Sequence, residues 1–228
     1  METARKHIFI TGSVGVGKST AIQETIRLSK ILNLSICYIK EYIDYDVYGV
    51  TQYDNWSNGR MALIDFQKYI CNQFRAQLKS PEYMLSSLVI WERHPREALM
   101  VFSQTGLSES ERDELNDMIT ELEDDYEIPK IETIDKQICY RFNMTMSSPQ
   151  MIANHCISLC GILSSNDINC FFVYLYYPVK STFRQLDNIR KRGRKSEIER
   201  YNYIQNLIDV NRLYEDFVLR YFRLASLK

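Results

Sequence analysis

Eight consecutive residues, Gly12-Ser13-Val14-Gly15-Val16-Gly17-Lys18-Ser19, satisfy the pattern G-x-x-x-x-G-K-[ST] at every fixed position. The pattern constrains the fold as well as the chemistry, because such a loop has to join the end of a buried strand to the start of a helix. The flanks have that character: His7 to Thr11 (HIFIT) reads as a short buried strand, and Thr20 to Leu32 as an amphipathic helix. Glycines at 12, 15 and 17 allow backbone conformations closed to residues with a Cβ, so that successive N–H groups converge on phosphate oxygens at the positive end of the helix. In this reading residues 12 to 20, Thr20 included, hold a nucleotide phosphate, Lys18 reaches its outer phosphates and the Ser19 hydroxyl is a magnesium ligand.

The rest of the chain alternates apolar strands with helices, which implies an α/β protein built on a parallel sheet covered on both faces. Its 228 residues suit one domain, with no repeat, low-complexity segment or linker. Twenty-eight basic and 29 acidic residues give a net charge of −1, which argues against a general nucleic-acid or membrane binder. The first strand begins almost at once, no apolar leader precedes it, and no apolar run reaches the roughly 18 residues of a membrane span. A soluble, cytoplasmic protein is therefore expected. Six cysteines (37, 71, 139, 156, 160, 170) form no C-x-x-C pair, so buried reduced thiols are expected rather than a zinc site around His155, Cys156 and Cys160.

Ser35 to Ile39 reads as a second strand running into Glu41, and Tyr42 to Gly59 as a substrate-lining loop. A helix over Met61 to Lys79 follows, then a buried strand, Leu88 to Trp91, ending in Glu92-Arg93-His94-Pro95. A short helix is expected from Arg96 to Phe102 and a serine-capped acidic helix over Ser108 to Asp125. Glu132 to Phe142 reads equally as a strand or a helix approach. Ser148 to Ser165 reads as a helix, Cys170 to Tyr176 as the last central strand, and residues 197 to 219 as a terminal helix after a basic run, Arg190 to Lys195.

Ligands of open parallel sheets collect beyond the carboxyl ends of the strands. Three strand ends carry polar groups: the glycine-rich loop, Glu41, and Glu92-Arg93. Phosphoryl transfer needs a phosphate cradle, a metal, positive charge and a carboxylate to receive the acceptor's proton, and Glu41 suits the last role. The basic run reads by default as a solvated charge cluster. Its place after the last strand and helix suits an arginine-rich lid, about residues 190 to 197, that closes over phosphates.

With these residues assembled, the chain resembles the deoxyribonucleoside kinases, including the herpesvirus thymidine kinases, from residue 5 to about 222. The resemblance is carried by GSVGVGKST, by DFQKYICNQFRAQL at 65 to 78, by ERHPREALMVF at 92 to 102 and by RKRGRKSEIERY at 190 to 201. It implies a P-loop kinase fold with a central parallel sheet of about five strands, ATP and Mg2+ as cofactors, a deoxynucleoside as substrate, and a homodimer. It further implies Glu41 as general base for the sugar 5′-hydroxyl, Arg93 beside that hydroxyl, and Glu92 with Ser19 at the magnesium ion. Gln67 matches the base-reading glutamine and Phe102 the aromatic that stacks on the base. Arg192 and Arg194 match lid arginines over the phosphates, and Glu197 the lid carboxylate at the 3′-hydroxyl. Tyr53 is assigned to the same hydroxyl, with Trp56 and Tyr48 as competitors. Kinases of this family that prefer deoxycytidine carry an acidic residue and an arginine where this chain has Ala98 and Phe74, which points to thymidine, with deoxycytidine second.

The chain departs from the family pattern at Tyr42, where proline is usual, and at Asn188, where an arginine is usual. Two other readings compete. A thymidylate kinase would need further cations at the acceptor, for which Arg93 and Arg96 are available. A nucleotide-dependent regulatory protein is disfavoured because neither an N-K-x-D segment nor a strand ending in a Walker-B aspartate occurs.

Overall fold

A computed structural model describes residues 5–132 and 136–225. The first half of the chain forms β1 (Lys6–Thr11), α1 (Lys18–Ile31), β2 (Cys37–Ile39), α2 (Tyr42–Tyr45), α3 (Gly49–Ser57), α4 (Leu63–Leu78), α5 (Pro81–Leu85), β3 (Leu88–Glu92) and α6 (Glu97–Met100). The second half forms α7 (Glu109–Asp125), β4 (Gln137–Asn143), α8 (Pro149–Ser165), β5 (Cys170–Tyr176), α9 (Thr182–Arg192), α10 (Lys195–Tyr201), α11 (Ile204–Tyr221) and β6 (Phe222–Ala225). The strands make one parallel sheet in the order β2-β3-β1-β5-β4-β6.

The central strands are nearly continuous apolar runs because both of their faces are buried. On one face Phe9, Trp91 and Phe172 pack with Phe74 of α4, Leu115 and Ile119 of α7, and Phe217 of α11. On the other, Ile8, Ile10, Ile90 and Val173 pack with Ile22 of α1 and Ile152 and Leu159 of α8. The period-two alternation of strand side chains makes this division, so neighbours such as Ile8 and Phe9 enter opposite cores. Residues after Ser108 and Ser148 begin helices as the serines predict: each hydroxyl accepts a bond from the third backbone N–H, and Glu111 completes a capping box with Ser108.

Three sequence expectations change and one ambiguity is resolved. Residues 42–59 hold two helices rather than a loop, since Tyr42, Ile43 and Tyr53 bury against Phe66 of α4, a satellite core too short-ranged to show as periodicity. The ambiguous stretch before Phe142 is a strand from Gln137, its residues 133–135 lying outside the described chain. The terminal helix is broken near Asn202 and Tyr203 into α10 and α11. The sheet has a sixth strand: β6 pairs with edge strand β4, and four residues at the end of an amphipathic helix carry no strand pattern of their own.

Candidate active site

The strand order reverses about β1, which has β3 on one side and β5 on the other, so a crevice opens beyond its carboxyl end. The glycine-rich loop fills that position. Its geometry explains its glycines: at Gly12, φ is +136° and a Cβ would lie 2.3 Å from the Leu175 carbonyl oxygen. At Gly15, φ is +74° and a Cβ would lie 2.7 Å from Ile189 Cγ1. Val16 and Ser13 are buried, Thr20 is exposed on the first turn of α1, and Val14 faces the neighbouring pocket.

Lys18 is buried and its Nζ donates to Ser13 O at 3.1 Å. It lies 3.9 Å from Glu92 Oε1, the same oxygen that accepts the Ser19 hydroxyl at 2.9 Å. Tyr38 donates to the other oxygen of Glu92 at 2.8 Å. Burial and then the charge of Arg93 bring the Lys18 pKa down to about 8, against the opposing pull of Glu41 and Glu92. Burial and the Glu41 charge raise the pKa of Glu92, while Lys18 works against them.

Arg93 ties the loop to the pocket. Its Nε donates to Glu41 Oε1 at 2.8 Å and its Nη1 to Gly12 O at 2.8 Å. Nη1 also donates to the Tyr214 hydroxyl and, at 3.3 Å, to Glu97 Oε2. Burial raises the pKa of Glu41, but Arg93 and then Lys18 outweigh it and hold the carboxyl at about 2. Arg93 itself has φ of +77°, a left-handed conformation that costs a non-glycine residue ~1 kcal/mol or more. The strain is held by a backbone bond from Arg93 N to Ile10 O at 3.1 Å and by the four side-chain partners.

Beyond this ion pair lies a pocket walled by α2, α3, α4, α6 and α10, lined among others by Tyr53, Trp56, Gln67, Phe74, Ala98 and Phe102. Trp56 stacks flat on Phe66 at 4.8 Å, and Phe102 receives the Arg93 guanidinium over its ring at 5.0 Å. Three buried polar atoms that belong to lining residues have no hydrogen-bond partner among the described residues: Tyr53 Oη, Gln67 Oε1 and Glu197 Oε2. Buried polar atoms are seldom left unpaired, so three in one pocket mark places for a ligand's polar groups.

The basic run forms the end of α9 and the start of α10. Gly193, at φ +77°, turns the chain between them. Arg194 binds Asp44 of α2 and donates to Glu197 Oε1 at 3.0 Å, while Arg192 lies 3.6 Å from Glu197. Ser196 binds Asp54 of α3, and Arg200 lies 4.3 Å above the Trp56 ring. The basic segment is thus docked on α2 and α3, with Arg192 near enough to Lys18 and Glu41 for its charge to act on both.

The sequence assigns no role to several residues of the site. Glu97 and Tyr214 hold Arg93, yet Tyr214 is 121 residues away in the chain. Arg200 and Tyr201 complete the pocket roof from a helix whose apolar pattern is too short to read. Arg96 is turned away: it binds Glu123, Asn116 and Thr120 of α7. All six cysteines are buried free thiols, and no cluster of metal-ligating side chains occurs among the described residues. No helix among them is long and apolar enough to cross a membrane.

No family model matches this sequence, and no curated protein matches it. Among solved structures, the chain is similar to the deoxyadenosine kinase from M. mycoides with bound dATP, at 19% identity over 96% of this chain and 90% of that one, with a TM-score of 0.52. It is also similar to the thymidylate kinase from Ehrlichia chaffeensis, at 17% identity over 83% of this chain and 99% of that one, with a TM-score of 0.41. The first likeness, over nearly the whole of both chains, shows the α/β P-loop kinase fold.

Proposed function

We propose that this chain is a magnesium-dependent deoxynucleoside kinase that moves the γ-phosphoryl of ATP to the 5′-hydroxyl of thymidine, with deoxycytidine as a second acceptor. The observation that carries the reading is the junction of a phosphate loop with a pocket of unpaired polar groups at one ion pair, Glu41–Arg93. A donor in the loop and an acceptor in the pocket would meet there.

The residues fit the groups this requires. Ser19 Oγ and Glu92 Oε1, 2.9 Å apart beside Lys18, are the hard oxygen donors a magnesium ion takes, and Glu92 reaches it directly or through water. When bound, that ion supplies positive charge to the phosphate oxygens. Lys18 exchanges its bond to Ser13 O for an outer phosphate oxygen, and Arg192 and Arg194 add charge once the lid closes on the donor. Glu41 receives the proton of the 5′-hydroxyl. With a pKa near 2 it is a weak base, which suffices where the transition state is loose and the proton leaves late.

The acceptor end supports a pyrimidine with no exocyclic amine. Gln67 presents a donor and an acceptor on one amide, and the surrounding wall of Ile70, Phe74, Ala98 and Phe102 offers no charged partner. Tyr53 and Glu197 present the hydroxyl and carboxylate for the sugar 3′-hydroxyl. A monophosphate acceptor is less well served, because Arg96, the cation it would need besides Arg93, is committed to α7. Label transfer from ATP to the four natural deoxynucleosides and to thymidine monophosphate tests the reading. Thymidine is expected to lead. Exclusive use of the monophosphate, or a deoxycytidine rate more than about a hundredfold above that of thymidine, refutes it, since a methyl group alone is worth only about 1–3 kcal/mol.

A further inference from the structure

Four consecutive carbonyls of the glycine-rich loop are each held by a different side chain. Gly12 O accepts from Arg93 at 2.8 Å and Ser13 O from Lys18 at 3.1 Å. Val14 O accepts from Gln185 Nε2 at 2.6 Å and Gly15 O from Asn188 Nδ2 at 3.0 Å. A trans peptide is planar, with its C=O and the following N–H pointing in opposite directions. Holding the carbonyls of Val14 and Gly15 therefore aims the N–H groups of Gly15 and Val16 the other way.

Gln185 is itself locked. Its Nε2 donates to the Ser13 hydroxyl at 2.6 Å, that hydroxyl donates to Asn211 Oδ1, and Asn211 Nδ2 donates back to Gln185 Oε1 at 2.9 Å. The three side chains close a ring, and Gln185 Nε2 also donates across it to Asn211 Oδ1 at 3.3 Å. Gln185 is fully buried and Ser13 nearly so, so water cannot replace a lost partner at low cost. Helix α9 adds a steric limit, because the Gln185 carbonyl oxygen and the Ile189 side chain occupy the space beside Gly15.

We infer that Gln185 and Asn188, with the Ser13–Asn211 ring behind them, are positioning residues that orient the Gly15 and Val16 amides toward a bound phosphate, and that the Ser13 hydroxyl serves this ring rather than the ligand. The inference rests on the loop being the phosphate site. It makes α9, which carries Arg192 at its end, one mechanical unit with the loop.

Inorganic tripolyphosphate is the probe, since it engages the loop and not the acceptor pocket. In Gln185→Met and Ser13→Ala its affinity should fall about tenfold, with thymidine binding unchanged and the Gly15 and Val16 amide resonances displaced. Ser13→Ala removes a single oxygen and remains informative if Gln185→Met does not fold. Because either change opens the same ring, the double variant should bind about as weakly as each single one, whereas independent structural roles would multiply. Affinities within twofold of wild type, with undisplaced amide resonances, overturn the inference. If wild type binds tripolyphosphate and the variants lose it, yet no nucleoside is phosphorylated, the proposed function falls and the inference holds. If wild type does not bind tripolyphosphate, both fall.

Discussion

Arg93 Nε stands 2.8 Å from Glu41 Oε1, an ion pair formed by residues just beyond the ends of two neighbouring strands. The same guanidinium reaches the phosphate loop at Gly12 O, so one side chain connects the two halves of the site. Its left-handed backbone is kept by those contacts, and strain of this kind collects where a fold holds a functional group in place.

Replacing Glu41 by Gln keeps the shape and removes the proton acceptor. Turnover should fall by ~10²–10⁴-fold while ATP affinity stays within a few-fold of wild type. Single-turnover rates and equilibrium ATP binding on the same preparation check this, and near-normal turnover removes Glu41 as the base.

The loop lysine sets an alkaline limit. With its pKa brought to about 8, Lys18 loses its charge in the free enzyme as pH rises through that value. The kcat/KM for ATP should then fall about tenfold per pH unit above ~8, because this parameter reports free-enzyme ionisation. Glu41, held at about 2, stays ionised throughout and adds no inflection between pH 5 and 9. A flat profile to pH 10 would contradict the assignment.

Gln67→Ala should act on the acceptor alone. Its buried Oε1 has no protein partner, so the substitution breaks no hydrogen bond of that oxygen among the described residues, and the KM for thymidine should rise by ~10–100-fold with the KM for ATP unchanged. Equal losses for both substrates would show that Gln67 supports the fold instead.

His94 should make stability acid-sensitive. Burial holds its pKa at about 3, and it stays neutral with Nδ1 accepting from Arg96 N and Nε2 donating to Pro129 O. The unfolded chain takes up the proton near pH 6.5, so this contribution is complete above that pH and is lost as pH falls toward 3, at ~1.4 kcal/mol per unit. His7, held at about 3 by the same cause, adds a similar slope, while Glu92 and Glu97, whose pKa values are raised, oppose it. The stability lost between pH 7 and pH 5, measured by urea unfolding, should therefore be smaller in His94→Gln than in wild type by about 2 kcal/mol in total. Identical losses would mean that the histidine titrates normally in the folded protein.

Strands β1, β2, β3 and β5 and the long helices were legible because their signals are local. Cys170 to Tyr176 is apolar over its whole length since both faces are buried, and Leu63 to Leu78 repeats its apolar positions at helical spacing. Residues 42–59 escaped because each short helix has less than three turns, and Tyr42, Tyr53 and Trp56 acquire their meaning only against Phe66 of α4. Strand β6 escaped because an edge strand of four residues owes its conformation to its partner, β4.

For the site, the sequence alone determined the phosphate loop and the polar strand ends, because glycine, lysine and hydroxyl at fixed spacing have one common geometric use and parallel strands deliver their ends to one side. Tertiary structure decided which charges meet. It set Glu97 and Tyr214 behind Arg93, turned Arg96 away from the pocket to Glu123, and closed the ring of Ser13, Gln185 and Asn211. Those contacts span up to 198 residues of chain, and hydrogen bonds act only over about 3 Å, so the folded path alone selects the partners.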